Sequence, residues 1–258
     1  MKSIVYVILL SFVFLGCQKG AEKTYNARSI KVEEDFNTYQ KEKESPLSIY
    51  KTAGSKKDDF FGLKFRDTVV KIQGKKSVGS QFIFAAFINT QQTCLLVQLA
   101  PPVDPGSAFY LVCLKDGQLD VVSLERDSKG ARDQQYTRGL DRLGNAGYIV
   151  NNDFYVSRVN AKVSLLKREN PEERIQGEFI MNSTDINTFV FLRAKDLFEL
   201  HYPSGEVFIQ PLSTKASSNA EAYKWIQENC HWVKNANGVS FLKASDPDRI
   251  IDMTRKIR

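Results

Sequence analysis

Along the chain, apolar residues recur at a period of two far more often than at the helical period. Leu63–Gln73 partly alternates, with Val70 and Ile72 on one face. Gln81–Asn89 is a nearly continuous apolar run, the pattern of a strand buried on both faces. Thr93–Ala100 and Ser107–Leu114 read as strands, as do Gln118–Leu124, Tyr148–Val150, Phe154–Leu166, Arg174–Met181, Thr188–Arg193 and Glu206–Gln210. Turn signals separate them: Lys115-Asp116-Gly117, Asn151-Asn152-Asp153, Asn182-Ser183-Thr184-Asp185 and Pro203-Ser204-Gly205. Short strands at this spacing predict a mainly β fold of the β-rich α+β class, an antiparallel sandwich or barrel. A repeated strand–helix alternation is missing, which argues against a doubly wound α/β sheet.

The last fifth of the chain changes period. Ser218 and Glu221 form a capping-box pattern. Tyr223, Ile226, Cys230 and Val233 then follow on one helical stripe, extended by Trp225 and Trp232, so a helix is predicted over about 218–234. Asn237-Gly238 reads as a turn and Val239–Leu242 as a strand. Asp246-Pro247 opens a second helix over about 247–257. One domain is therefore expected over 60–258, with one or two C-terminal helices. The charged segment 17–59 reads as a tether whose later part docks on that domain. A short helix is expected within it, over Glu33–Lys43, ending before Pro46.

The N-terminus has a different character. Lys2 precedes an apolar run from Ile4 to Leu15, then Gly16 and Cys17. A positive start, about a dozen apolar residues and a small residue before a cut site make a secretory signal peptide, residues 1–16. Phe14-Leu15-Gly16-Cys17 resembles the lipobox of bacterial lipoproteins, departing from it at Phe14, where Leu, Val or Ile is usual. The resemblance covers residues 1–20 only. It implies that Cys17 carries lipid and becomes the new N-terminus, holding the domain on a membrane. Gln18, in place of Asp, implies the outer membrane of the cell envelope by the same resemblance.

Composition narrows the function. In 258 residues, 36 Lys plus Arg face 30 Asp plus Glu, a net charge of +6. Such a charge draws a protein toward anionic envelope polymers, or is simply a mildly basic solvated surface. No block of Lys and Arg stands out, so nucleic acid is not an expected partner. With 42% hydrophobic residues the chain can bury a core. No run reaches the roughly 20 apolar residues of a membrane helix. The 2 His residues argue against a His-based metal site or triad, and no metal or cofactor is expected. Phosphate-loop, His-Glu-x-x-His, Gly-x-Ser-x-Gly and Cys-x-x-Cys motifs are all missing from the sequence. The carboxylate pairs Glu33-Glu34, Asp58-Asp59 and Glu172-Glu173 lie in charged or turn-like segments, whereas acid–base catalysis needs pKa values raised by burial.

Three cysteines remain beyond Cys17. Folding the hairpin about Pro101–Gly106 brings Cys94 opposite Cys113. There they form a cross-strand disulfide or pack as two small hydrophobes. Cys230 and His231 are neighbours, but adjacent helical residues point about 100° apart and do not converge on one atom. The segment Glu125–Gly147 carries Arg126, Lys129, Arg132, Arg138 and Arg142. It is either a loop that gathers guanidinium groups around an anionic ligand or a surface loop balanced by Asp127, Asp133 and Asp141. The function expected is a lipid-anchored, non-enzymatic binding or accessory module, with a carboxylate-dependent envelope hydrolase as the alternative.

Overall fold

A computed structural model describes residues 21–31, 33–38, 45–52, 60–74, 78–100, 108–125, 139–166, 177–193, 195–212, 218–245 and 255–256. The N-terminal segment supplies β1 (Glu22–Asn26), β2 (Arg28–Ser29), β3 (Glu33–Asp35) and β4 (Leu47–Thr52). Next come β5 (Phe60–Phe65), β6 (Thr68–Gln73), β7 (Val78–Gly79), β8 (Phe82–Phe87), β9 (Cys94–Leu99), β10 (Phe109–Lys115) and β11 (Gln118–Ser123). Two meanders follow. The first is β12 (Leu140–Arg142), β13 (Gly147–Val150), β14 (Phe154–Ser157) and β15 (Lys162–Leu165). The second is β16 (Glu178–Asn182), β17 (Thr188–Arg193), β18 (Asp196–His201) and β19 (Glu206–Pro211). The chain ends in helix α1 (Asn219–Asn229), the hairpin β20 (Cys230–Lys234) and β21 (Ser240–Ala244), and β22 (Arg255–Lys256).

The first sheet runs β1-β6-β5-β8-β9-β10-β11-β2. Its two ends belong to one chain segment. β1 pairs with β6 and β2 with β11, both parallel, and the Ala27 N–H between them still donates to Gln73 O. The N-terminal strand thus closes the sheet into a nearly complete barrel. Inside it lie Leu63, Val70, Ile72, Phe82, Leu95, Val97 and Val112, each fully buried. The barrel wall at β9–β11 is covered on its outer face too. Leu96, Leu111 and Val122 there pack on Tyr148, Val150, Phe154 and Val156 of the sheet β12-β13-β14-β15-β3. Burial on both faces is why β9 and β10 read as unbroken apolar runs rather than alternating ones.

The layering repeats. Ile149 and Tyr155, on the opposite face of that second sheet, pack on Phe189, Phe191, Phe198 and Leu200 of the sheet β16-β17-β18-β19-β22. Val190 and Leu197, on the far face of the third sheet, meet Ala222 and Ile226 of α1 and Leu242 of β21. Neighbouring residues 149 and 150, or 189 and 190, therefore serve successive interfaces of one stack, as a period of two requires.

Arg28 pins the barrel closure to the second sheet. Its Nε and Nη2 donate to Asp120 on β11 at 2.9 and 2.7 Å, and its Nη1 and Nη2 donate to Glu34 on β3 at 2.9 and 2.7 Å. Hydrogen bonding to Arg28 also lowers the Glu34 pKa.

Four expectations change. Residues 22–52, expected as a tether with a docking part, contribute four strands, two of which complete the barrel. The helix expected over Glu33–Lys43 begins instead as β3, because Glu33–Asp35 finds an open edge on β15. The helix expected over 218–234 stops at Asn229. Its Ser218 cap accepts the Glu221 N–H as the pattern predicted, but Cys-His-Trp-Val-Lys pairs with β21 through the Asn235–Gly238 turn. Of the second helix expected over 247–257, residues 255 and 256 are described, and they pair with β19 as a strand. The rest of it lies outside the described residues.

Candidate functional site

The far end of the stack holds a cleft of about 320 Å³ between the β16–β17 turn and the terminal hairpin. Ser183, Thr184, Asp185, Trp232, Val233, Lys234 and Ser240 line it. The turn is tied to itself first. The Ser183 N–H donates to Thr188 O at 2.9 Å and the Thr188 N–H donates to Ser183 Oγ at 3.0 Å. Asp185 is then fixed by donors on every side. Ser183 Oγ reaches its Oδ1 at 2.5 Å, and the Asn187 N–H reaches the same oxygen at 3.3 Å. From the hairpin, Ser240 Oγ donates to Oδ2 at 2.8 Å and Lys234 Nζ lies at 3.5 Å. These donors, the Ser183 hydroxyl foremost, hold the Asp185 carboxyl down at about 2. It is therefore a fixed negative charge across the neutral range, not a proton carrier. Trp232 is half-buried beside it, and Lys234 extends outward.

The hairpin is held against the third sheet by polar side chains that rise from an otherwise apolar face. Thr188 Oγ1 donates to Ser240 O at 2.7 Å. The Leu242 N–H donates to Glu199 Oε2 at 2.8 Å, while Gln210 Nε2 donates to Glu199 Oε1 at 2.7 Å. Glu199 is 1% exposed, and burial pushes its carboxyl up to about 8. No charged partner meets it among the hydrogen bonds that hold it, so at neutral pH the neutral acid prevails.

Elsewhere, His201 Nδ1 lies 2.7 Å from Ser204 Oγ in the β18–β19 turn. The Ser204 N–H also points to Nδ1 at 3.4 Å, and the Glu206 N–H donates to Ser204 Oγ at 3.2 Å. The contact is one that closes a turn, and burial lowers the His201 pKa.

The structure distributes the residues singled out by sequence. Cys94 and Cys113 face each other in register and form a disulfide, buried between the first two sheets. Leu114 N–H to Thr93 O is the adjacent hydrogen-bonded pair, which leaves 94 and 113 in the closer, non-hydrogen-bonded pair. Arg142 lies on β12 with its guanidinium 5.9 Å from the centre of the Phe84 ring, at the rim between barrel and second sheet. It does not line the cleft. Arg126, Lys129, Arg132, Arg138 and Cys17 lie outside the described residues. Cys230 starts β20, takes no part in the disulfide, and belongs to the same apolar cluster as Trp225 and Trp232. Among the described residues no group of three or more His, Cys, Asp and Glu could hold a metal ion.

Sequence reading missed Asp185, Lys234 and Glu199 as members of a site. A signal for Glu199 is present: it lies between the apolar Leu197-Phe198 and Leu200 in the middle of β18, a strand whose other polar residues are at its two ends. Trp232 was placed on a helical stripe, and the strand it occupies turns it toward the cleft instead. No family model, curated protein or solved structure matches this chain.

Proposed function

We propose that this protein is a lipid-anchored cell-envelope module that binds a partner at the far end of its sheet stack and carries out no chemistry there. The observation that carries the reading is the cleft: an aromatic face, an ammonium and a fixed carboxylate meet between two sheet ends, the usual build of a recognition site. Its one carboxylate among the described lining residues is fixed in the ionised state, which suits recognition better than proton transfer. The raised acid, Glu199, is walled off from solvent and employed in holding β21. That distribution favours binding over the hydrolase alternative.

The anchor follows from Cys17. β1 begins five residues later, at Glu22, so at about 3.5 Å per residue the barrel would lie within about 17 Å of the lipid. The barrel, not a long tether, then sets the height of the cleft above the membrane. Metabolic labelling with radiolabelled palmitate tests this. The full chain should be labelled and sediment with membranes, and Cys17→Ser should be unlabelled and soluble. A wild-type chain that takes no label and is soluble refutes the anchor. Turnover of envelope glycans or peptides by the purified mature chain refutes the non-enzymatic part.

A further inference from the structure

The terminal hairpin has two edges, and among the described residues partners meet one of them. The Asn235 N–H donates to Val239 O and the Ser245 N–H donates to Asn229 O, at 3.0 and 2.7 Å. The antiparallel alternation then places His231–Lys243 and Val233–Phe241 in hydrogen-bonded pairs. The backbone groups of Ser240 and Leu242 on β21, and of Trp232 and Lys234 on β20, point away from the hairpin. On the β21 side these groups meet Thr188, Glu199 and Gln210 of the third sheet. On the β20 side no strand pairs with them among the described residues, and Trp232, Val233 and Lys234 of this strand also contribute to the lining of the cleft.

We propose that the outer edge of β20 binds an extended acidic peptide of a partner protein by strand addition. This deepens the reading of the cleft as a recognition site and does not depend on the lipid anchor. An unpaired edge beside a groove offers main-chain hydrogen bonds for affinity and side-chain pockets for selection. The sequence of the incoming strand follows from the pleat. Residues on the Trp232 face contact the indole and are apolar. Those on the opposite face meet the exposed His231, with the exposed Lys243 beyond it on β21, and are acidic. The hairpin strands carry His231, Lys234 and Lys243 and no carboxylate; Lys234 is shared with Asp185, which two hydroxyls also meet, so Lys243 is the strand cation that this pairing leaves over. The two hairpin strands themselves offer a basic peptide no counter-charge.

The probe is a short synthetic peptide of alternating Glu and Val, titrated against the mature chain by calorimetry and by hydrogen exchange. Binding should protect the Trp232 and Lys234 amides selectively. N-methylating alternate peptide amides should weaken it about tenfold or more, since each of the several backbone bonds lost costs about a twofold to tenfold factor. Lys234→Pro removes one outward N–H at an edge position where proline is tolerated, and should weaken binding similarly with the melting temperature little changed. A Lys–Val peptide should not bind. The inference is overturned by no binding at millimolar peptide, by binding indifferent to N-methylation, or by binding without protection at 232 and 234. Binding of an oligosaccharide in the cleft with those amides still exchanging would leave the recognition reading standing and overturn strand addition.

Discussion

Glu199 gives the stack a pH dependence that can be isolated. In an unfolded chain its carboxyl ionises near 4.5, and in the fold near 8. Below about pH 4.5 the acid is neutral in both states and costs nothing. Between about 4.5 and 8 the unfolded chain loses its proton while the folded chain keeps it, so stability falls steadily as pH rises. Above about 8 the full cost of the buried charge is paid. At about 1.4 kcal/mol per pH unit the cost reaches at most about 5 kcal/mol, an upper figure because local opening admits water. Glu199→Gln mimics the neutral acid at every pH. Its carbonyl accepts the Leu242 N–H, and its amide faces Gln210, whose own amide can turn over to accept. Urea unfolding of both proteins from pH 4 to 9.5 reads the difference, with titrations elsewhere cancelling. The two should agree within about 1 kcal/mol near pH 4.5, and the variant should be the more stable by several kcal/mol near pH 9. Parallel curves, or a variant less stable at pH 9, would show that Glu199 is ionised in the fold and refute the reasoning.

Arg28→Ala should lower stability by about 1–3 kcal/mol in urea, because Glu34 and Asp120 are left facing each other without their shared cation. Arg28→Lys should restore little, since one ammonium cannot fork to two carboxylates. Because Arg28 lowers the Glu34 pKa, that part of the stability is present above the ordinary carboxylate range and is lost as pH falls through the lowered folded value. An Arg28→Ala deficit that persists unchanged at pH 2 would contradict it. The Cys94–Cys113 bridge closes a separation of 19 residues, and the double Cys→Ala variant should lose about 3 kcal/mol. The two cysteines are no more than 1% exposed, so thiol labelling after dithiothreitol should follow the unfolding rate rather than reductant concentration.

What was legible in the sequence was local. Thr188–Arg193 alternates and is a strand. Asn151-Asn152 reads as a turn, and both residues take positive φ there, at 54° and 55°. Ser218 caps a helix. The hairpin register that sets Cys94 against Cys113 needed only a turn position and a count. Features decided by distant pairing were not legible. Glu22–Asn26 is polar enough to read as a tether, because it lies at the barrel seam with mostly exposed side chains and is held by backbone pairing to β6. The stripe from Tyr223 to Val233 fits a helix as far as Ile226, yet Trp232 and Val233 gain more by pairing with β21 across the third sheet than by continuing α1. Asp185 sits in a turn, and nothing in its neighbourhood along the chain announces Ser240 or Lys234, which arrive from some fifty residues away.

The same physics places the candidate site at one end of the molecule. The second sheet is covered on both faces, by the barrel on one and by the third sheet on the other, and its side chains are committed to those interfaces. The barrel seam is closed by the N-terminal strand and fastened by Arg28. Each layer is thus finished by the next, and among the described residues the last layer has no successor. The two-stranded hairpin is too small to bury both its edges and its faces by itself. It fastens one edge to the third sheet through Thr188, Glu199 and Gln210, which fixes the backbone rigidly and turns the opposite edge outward beside the cleft. A buried acid that contributes to stability only while neutral is the cost of holding that edge in place. It also couples the pH response of the fold to the same strand pair that presents the site. Alkaline loosening of β21 should therefore weaken binding at β20, with Glu199→Gln abolishing the effect.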